Sequence, residues 1–237
     1  MDRNAASGPK FRGLLLDFGG VLTCSLFEQM EHGERRLGLP RGTLAWRGPI
    51  DPSTDSLWQA MQREEISERE YWVTRARETG ALLGEDWSVR MLLHRMRPAD
   101  PNESIRPQAA RTVARARRAG LRVGILSNEL ELFYGREFLD RLRLLKEMDC
   151  VVDATHTGIL KPDPRSYALG LQALGTGVSE TLFVDDQPRN VAGAERAGLR
   201  AMLFDLRNPD ACYRRIDALL EPHQVCQRVE YERGPRE

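Results

Sequence analysis

An apolar run of strand length, FRGLLLDF, occupies residues 11–18, ends in an aspartate-phenylalanine pair and leads straight into two glycines. A strand that is apolar at nearly every position has both faces buried, as strands inside a parallel sheet do. Neighbouring parallel strands are joined by crossovers, usually helices, that cover the faces of the sheet. The run therefore predicts an α/β fold with further strand–helix units along the chain.

The second half of the chain alternates in the way that such a fold requires. Strands that alternate with helices are joined by right-handed crossovers and form a doubly wound parallel sheet. We predict this α/β core over 11–23 and 106–222, with loosely ordered tails at 1–10 and 223–237. Its later strands are predicted over 122–126, 150–153, 181–184 and 201–204, and its helices over 107–119, 129–145, 164–174, 189–197 and 209–220.

Residues 24–105 have a different character, because they carry helical spacing and no convincing strand. All four tryptophans of the chain, Trp46, Trp58, Trp72 and Trp87, fall in this segment. We predict a small all-helical insertion directly after the first strand. Its tryptophans are predicted to form the core of the insertion rather than a platform for stacking nucleic-acid bases.

Charge and hydropathy exclude several classes of partner. The 35 basic and 35 acidic residues balance, so no overall field attracts nucleic acid or an anionic membrane. No apolar stretch approaches the roughly 18 residues that a membrane-spanning helix needs, and the first ten residues do not resemble a signal peptide. Four widely spaced cysteines form no disulfide framework. We therefore expect a cytoplasmic protein, a monomer or homodimer, with no nucleic-acid or membrane partner.

Chemically active side chains follow four of the predicted strands. In open parallel sheets, functional groups collect just beyond the carboxyl ends of the strands. Four such points carry polar residues here, and they are predicted to converge on one crevice. They are Asp17, the pair Ser127 and Asn128, Lys161, and the pair Asp185 and Asp186.

This set of residues is suited to attack on a phosphate ester. A carboxylate that approaches a doubly charged phosphoryl group needs a divalent cation and an ammonium group to neutralise the approach. Adjacent aspartates supply the oxygen ligands that Mg²⁺ prefers. Lys161 is one of only three lysines among the 35 basic residues, which indicates a position where arginine does not serve.

The same segments carry a family resemblance. LLLDFGGVL, ILSNE, LKPDPRSY and LFVDDQPRNV resemble the four motifs of the haloacid dehalogenase (HAD) superfamily. The helical insertion resembles the small four-helix cap of that family, and QREEISEREYW is similar to a stretch common in such caps. The form DFGGVL is similar to the branch that contains the phosphatase domain of soluble epoxide hydrolase and bacterial glucose-1-phosphate phosphatases.

The resemblance implies a Mg²⁺-dependent phosphomonoester hydrolase that acts on a small phosphorylated metabolite. Asp17 would be the nucleophile that forms an aspartyl-phosphate, and Lys161 would steady both Asp17 and the phosphoryl group. The remaining implied roles are phosphate binding by Ser127 and Asn128, Mg²⁺ binding by Asp17, Asp186 and the backbone carbonyl of Gly19, and support from Asp185 and Asn190.

Gly19 departs from the pattern of most phosphatases in this superfamily, which carry there a second aspartate that protonates the leaving group. Loss of a general acid typically lowers a rate by roughly 10²–10⁴-fold. Three explanations are open: a substrate with a good leaving group, a metal-independent 2-haloacid dehalogenase that uses Arg47 as halide partner, or a scaffold that binds a phosphorylated ligand without turnover. The first is our prediction.

Overall fold

The computed structural model of the protein describes residues 11–221. The predicted loosely ordered tails, 1–10 and 223–237, lie outside the described residues. Five parallel strands form one sheet: β1 (Gly13–Leu16), β2 (Arg122–Ser127), β3 (Cys150–Asp153), β4 (Thr181–Asp185) and β5 (Arg200–Leu203). Their order in the sheet is β3-β2-β1-β4-β5, which confirms the predicted doubly wound parallel fold.

The first strand lies at the centre of the sheet and is fully buried. It pairs with β2 on one side and β4 on the other, and its Leu14 stands opposite both Val123 and Leu182. Successive side chains of a strand point to opposite faces. Accordingly, Leu14 packs into the larger apolar cluster and Leu15 into the smaller one, so both faces of the sheet are covered.

The segment between β1 and the second strand is helical, as predicted. An isolated antiparallel β-bridge pairs Thr23 with Ile105. The chain leaves the α/β core at Thr23 and returns to it at Ile105. The helices of this segment are α1 (Met30–Arg36), α2 (Ser56–Gln62), α3 (Glu68–Ala81) and α4 (Val89–Met96). All of them fall within 24–105, and the division of the chain into two domains at these boundaries stays a prediction.

Aromatic rings fill the interior of the helical segment. The ring of Phe27 meets those of Trp46 and Trp58 edge to face, with centroids 5.6 and 5.4 Å apart. Trp87 is also buried, and Trp72 packs against Phe27 and Tyr71. The tryptophans therefore belong to the core, where edge-to-face contacts add to the apolar burial.

The remaining helices flank the sheet. Their bounds are α5 (Pro107–Arg118), α6 (Leu130–Tyr134), α7 (Arg136–Asp140), α8 (Ala154–Thr157), α9 (Pro164–Leu174), α10 (Pro188–Arg196) and α11 (Pro209–Leu220). α9 packs against β2 and β3, α10 against β4 and β5, and α5 against α11. No helix among residues 11–221 is both long and apolar enough to cross a bilayer.

The predicted single helix over 129–145 is wrong, because the structure divides it into α6, α7 and a short turn at Arg143–Glu147. Gly135, between α6 and α7, has a φ of 82°. Glycine adopts this left-handed conformation without the steric penalty of other residues, and it interrupts the helical hydrogen bonds. The break ends α6 at Tyr134, whose side chain faces the site described next.

Candidate active site

The chain turns sharply after β1, and the turn positions two glycines beside Asp17. Gly20 has a φ of 78°, and a Cβ atom there would lie 2.5 Å from the Oδ2 atom of Asp186. Gly19 has an ordinary extended conformation, with φ of −71° and ψ of 129°. The nearest atom to a Cβ at Gly19 is the hydroxyl of Tyr134, at 3.8 Å. Backbone and space therefore require glycine at position 20 but not at position 19.

Lys161 joins two of the predicted carboxylates. Its Nζ atom lies 2.7 Å from Oδ1 of Asp17 and 2.6 Å from Oδ2 of Asp185, and its side chain is 1% exposed. Desolvation lowers the pKa of Lys161, but Asp17 and Asp185 outweigh it and raise that pKa. The ammonium group therefore stays charged at neutral pH.

Asn128 holds the loop that carries this lysine. Its Oδ1 atom accepts a hydrogen bond of 2.8 Å from the backbone N–H of Lys161, and its Nδ2 atom donates one of 3.2 Å to the carbonyl oxygen of Lys161. The Asn128 side chain thus positions Lys161 through its backbone, in addition to lining the cavity above Asp17. Ser127, the last residue of β2, lines the same cavity.

Asp185 is fully engaged within the protein, whereas Asp186 faces the cavity. Both carboxylate oxygens of Asp185 accept 3.1 Å hydrogen bonds from Nδ2 of Asn190, and its Oδ1 also accepts one from the backbone N–H of Gln187 at 2.8 Å. Asp185 and Asn190 are thus in direct contact, and the supporting role predicted for them stays a prediction. Asp186 lines the cavity together with Asp17 and Gly19.

Three carboxylates crowd this end of the sheet, where one oxygen from each of Asp17, Asp185 and Asp186 lies within 4.8 Å of the others. Desolvation, opposed by Lys161 and reinforced by Asp185, raises the pKa of Asp17 to about 7. Desolvation and repulsion from Asp185 and Asp17 raise the pKa of Asp186 well above its ordinary value. The single positive charge of Lys161 does not neutralise the negative charges of three carboxylates. The cluster therefore fits a divalent cation such as Mg²⁺, whose preferred ligands are carboxylate oxygens.

The cavity above Asp17 has a volume of about 70 Å³, room for a handful of ordered water molecules or a small ligand. Its lining is polar at the carboxyl ends of the strands and mainly apolar where the helical segment and α6 cover it. The apolar part consists of Leu26, Phe27, Trp58, Trp72, Val89 and Leu93 of the helical segment and Phe133 of α6.

Sequence reasoning missed five polar residues of this lining: Ser25, Glu68, Arg97, Tyr134 and Gln187. Oε2 of Glu68, the first residue of α3, accepts a 3.2 Å hydrogen bond from Nδ2 of Asn128. The start of α3 was readable from the pattern S-x-x-E at 67–70, which is a helix-capping box. Nothing in the local sequence marks Arg97 or Tyr134.

The arginine of the dehalogenase alternative is placed elsewhere. Within residues 11–221, Arg47 is not among the residues that line the cavity above Asp17. It follows the buried Trp46 in the helical segment and is itself partly exposed.

Comparison with known proteins agrees with the geometry. Residues 11–198 match the haloacid dehalogenase-like hydrolases. The chain belongs to the haloacid dehalogenase-like hydrolase family. Because the match covers most of the chain, including the strand ends described above, the protein is a HAD-type hydrolase.

Curated relatives of this HAD hydrolase include proteins named phosphatases. Phosphatase MT3486 of Mycobacterium tuberculosis is 34% identical over 196 residues, 81% of this chain and 86% of that protein. Phosphoserine phosphatase of Thermus thermophilus is 37% identical over 100 residues, 42% of this chain and 40% of that protein. Mouse Acyl-CoA dehydrogenase family member 10 is 28% identical over 218 residues, 91% of this chain but 20% of that protein.

Solved structures share the fold of this HAD hydrolase. A dehalogenase structure superposes with a TM-score of 0.58 at 22% identity, covering 82% of this chain and 85% of the other. A HAD phosphatase from Thermococcus onnurineus superposes with a TM-score of 0.51 at 20% identity, covering 82% and 86%. Structures of both chemistries therefore resemble this fold.

Proposed function

We propose that this HAD hydrolase is a Mg²⁺-dependent phosphomonoester hydrolase that acts on a small phosphorylated metabolite. The observation that carries the proposal is the placement of Lys161, whose ammonium group lies within 2.7 Å of Asp17 and 2.6 Å of Asp185. A charged, buried ammonium beside a carboxylate is suited to steady an attacking carboxylate against an anionic substrate.

Asp17 is the proposed nucleophile. A bond forms between a carboxylate oxygen of Asp17 and phosphorus, the ester P–O bond breaks, and the electron pair leaves with the alcohol oxygen, which takes a proton from water. Water then attacks phosphorus in the aspartyl-phosphate, which releases inorganic phosphate and restores the carboxylate. Ser127 and Asn128 are proposed to bind the phosphoryl oxygens, and Lys161 to compensate their charge.

Asp17, Asp186 and the carbonyl of Gly19 are the proposed holders of Mg²⁺, with Asp185 and Asn190 in support. When bound, Mg²⁺ supplies positive charge that offsets the crowding of carboxylates and phosphoryl oxygens. The raised pKa values of Asp17 and Asp186 support this assignment, since carboxylates that repel one another in a desolvated site bind a cation with relief of that repulsion.

The relative named phosphatase MT3486 supports phosphatase chemistry, because the similarity to it extends over most of both chains. The solved dehalogenases are too distant in sequence to support more than the fold. A cytoplasmic location and a monomeric or homodimeric state stay predictions. The described cysteines, Cys24, Cys150 and Cys212, are free thiols, which is compatible with a reducing compartment.

The test of this proposal is phosphate release by the purified chain from a panel of phosphate monoesters, with and without Mg²⁺, alongside a panel of 2-haloacids. We expect Mg²⁺-dependent phosphate release and no halide release. Asp17→Asn removes the attacking charge with little change of shape, so phosphate release should fall to background, whereas Asp140→Asn at an exposed position should leave it unchanged. Phosphate release by Asp17→Asn near the wild-type rate would refute the covalent mechanism.

A further inference from the structure

Arg97 is a buried arginine in the wall of the cavity above Asp17. It follows the last turn of α4, is 4% exposed, and lines that cavity together with Asp17, Ser127 and Asp186. The proposed phosphatase reaction assigns it no task. It also borders a second cavity of about 430 Å³, which shares Leu93, Arg97 and Tyr134 with the first.

Among the residues that the structure describes, the guanidinium group of Arg97 has no counter-charge. Its Nη2 atom donates a 3.1 Å hydrogen bond to the hydroxyl of Tyr134, and the group lies 5.0 Å from the centre of that ring. Its Nε and Nη1 atoms are buried and, among residues 11–221, have no hydrogen-bond partner. No ion pair joins Arg97 to a carboxylate in the described part of the chain, so a neutral phenol is what stabilises the charge.

Arg106, the other buried arginine of the described chain, shows how such a charge is ordinarily accommodated. Its Nη2 lies 2.5 Å from Oε2 of Glu28, and its Nε donates a 2.9 Å hydrogen bond to the carbonyl of Gly20. Among the partners that residues 11–221 offer, Arg97 has neither a carboxylate nor a backbone carbonyl. An unpaired buried charge is strongly unfavourable, so its presence beside the reacting groups points to a ligand that pairs with it.

A carboxylate fits this position better than a second phosphoryl group. The planar guanidinium presents two parallel N–H groups that match a carboxylate in a bidentate pair. A carboxylate brings one negative charge, which a single guanidinium balances, whereas a phosphoryl group brings about two. Lys161 is engaged by Asp17 and Asp185, and Glu68 of the lining already pairs with Arg189 at 3.5 Å. Among the described residues of the lining, no further cation is therefore free to balance the second charge of a phosphoryl group.

We propose that Arg97 binds a carboxylate of the substrate, so that the substrate class is a small organic phosphate that also carries a carboxylate. This inference rests on the proposed phosphatase function, which places the other charged group of the substrate, its phosphoryl group, at Asp17. In this arrangement Arg97 determines specificity: it selects the end of the molecule opposite to the group that Asp17 attacks.

Turnover of matched esters tests the inference. We compare 2-phosphoglycolate with ethyl phosphate and 3-phosphoglycerate with glycerol 3-phosphate, each pair differing mainly in the carboxylate. Wild type should favour the carboxylate member by roughly 30-fold or more in kcat/KM, the size expected for a desolvated charge pair. In Arg97→Met the ratio of kcat/KM values within each pair should fall close to one. In Arg97→Lys this ratio should be intermediate, because the positive charge remains but the planar group that can bind both carboxylate oxygens is lost.

Stability separates this role from a structural one. Replacing an unpaired buried charge by an apolar side chain of similar length should leave the melting temperature of Arg97→Met unchanged or higher. Arg95→Met, two residues away at an exposed site paired with Glu85, is the control that should preserve the substrate ratios. A lower melting temperature for Arg97→Met with unchanged substrate ratios would show that Arg97 serves the fold alone.

Binding without turnover separates the failure of this inference from the failure of the proposed function. Calorimetry with Mg²⁺ compares 3-phosphonopropionate with propylphosphonate on wild type and Arg97→Met. A preference for 3-phosphonopropionate that Arg97→Met removes supports the inference even if no ester is hydrolysed, in which case the phosphatase proposal fails by itself. Ester hydrolysis with no carboxylate preference overturns the inference alone. An Arg97-dependent preference for 1,3-propylenebisphosphonate over both probes would overturn the assignment to a carboxylate.

Discussion

Gly19 and Gly20 are adjacent in the turn after Asp17, but their surroundings differ. A side chain at Gly19 meets no atom nearer than the Tyr134 hydroxyl at 3.8 Å, in a backbone conformation open to any residue. Gly19→Asp should therefore fold and place a carboxylic acid beside the cavity. We expect hydrolysis of alkyl phosphates to rise by up to roughly 10²-fold, with little change for aryl phosphates, because only poor leaving groups need a proton donor. Steady-state kinetics on both ester types measures this, and equal gains on both would contradict it.

Gly20→Ala should behave in the opposite way. The left-handed backbone costs about 1–2 kcal/mol for a residue with a Cβ atom, and that atom would collide with Asp186 at 2.5 Å. We expect a lower melting temperature together with weaker Mg²⁺ binding, measured by thermal unfolding and calorimetry. Gly19→Ala is the matched control and should alter neither quantity. If both alanine variants behave alike, the contrast between the two glycines is not functional.

Lys161 is the residue where size matters as much as charge. Its ammonium group fits between Asp17 and Asp185 with a side chain that is 1% exposed. Lys161→Arg keeps the charge but inserts a broad planar group, so we expect kcat to fall by roughly 10²-fold or more while the chain still folds. Lys146→Arg, at an exposed position, is the control for the same exchange. Wild-type activity in Lys161→Arg would place this lysine outside the catalytic group.

At the scale of elements, α3 brings the helical segment to the carboxyl ends of the strands. The Ser67 hydroxyl accepts a 3.2 Å hydrogen bond from the backbone N–H of Glu70, and the Glu70 carboxylate accepts one of 2.7 Å from the backbone N–H of Ser67. The turn stabilised in this way carries Glu68, which contacts Asn128, and Arg69, which pairs with the buried Glu129. The capping box is thus connected to the loop after β2, at Asn128 and Glu129, through two neighbouring side chains.

We predict that Ser67→Ala impairs activity as well as stability. Loss of a helix cap costs about 1 kcal/mol, which lowers the melting temperature of a chain this size by roughly 2–4 °C. A loosened first turn also displaces Glu68 and Arg69, so KM should rise. Asn208→Ala removes the cap of α11, which is remote from the cavity lining, and should cause a similar loss of stability with unchanged KM. A KM that is unchanged in both variants would show that α3 only covers the site.

At the scale of the whole molecule, the acidic cluster couples stability to pH and to Mg²⁺. The pKa of Asp17 is raised to about 7, mainly by desolvation, and that of Asp186 is also raised. The metal-free folded chain therefore holds protons that the unfolded chain releases above pH 4, and its stability falls as pH rises from about 4 through 7. Under the proposed assignment, Mg²⁺ would stabilise the folded chain by binding the ionised cluster.

We accordingly predict that the increase in melting temperature caused by Mg²⁺ is small at pH 6 and larger at pH 8. Thermal unfolding at fixed ionic strength, with Mg²⁺ or without divalent ions, measures the difference. Asp186→Asn removes one charge of the cluster, so it should reduce the Mg²⁺ effect while making the metal-free chain less sensitive to pH. An equal Mg²⁺ effect at both pH values would argue against binding at these carboxylates.

Periodicity alone was sufficient to predict the sheet and the residues at its strand ends. Apolar runs such as residues 13–16 are buried on both faces in a parallel sheet. The carboxyl ends of parallel strands all lie at the same end of the sheet. For that reason the sequence determined that Asp17, Asn128, Lys161 and Asp185 would converge, although their separations in the chain exceed one hundred residues in places.

The tertiary structure alone decided what covers the carboxyl ends of the strands. The break at Gly135 depends on a backbone conformation that helical periodicity does not reveal, and it ends α6 where Tyr134 reaches the cavity. In the sequence, Arg97 is one arginine among 32. Its burial without a counter-charge from the described residues, 11–221, follows from the packing of α4 beside the cavity above Asp17. Side-chain identity along one element predicts which face is apolar, but the partners of a polar group belong to distant segments, and only folding brings them together.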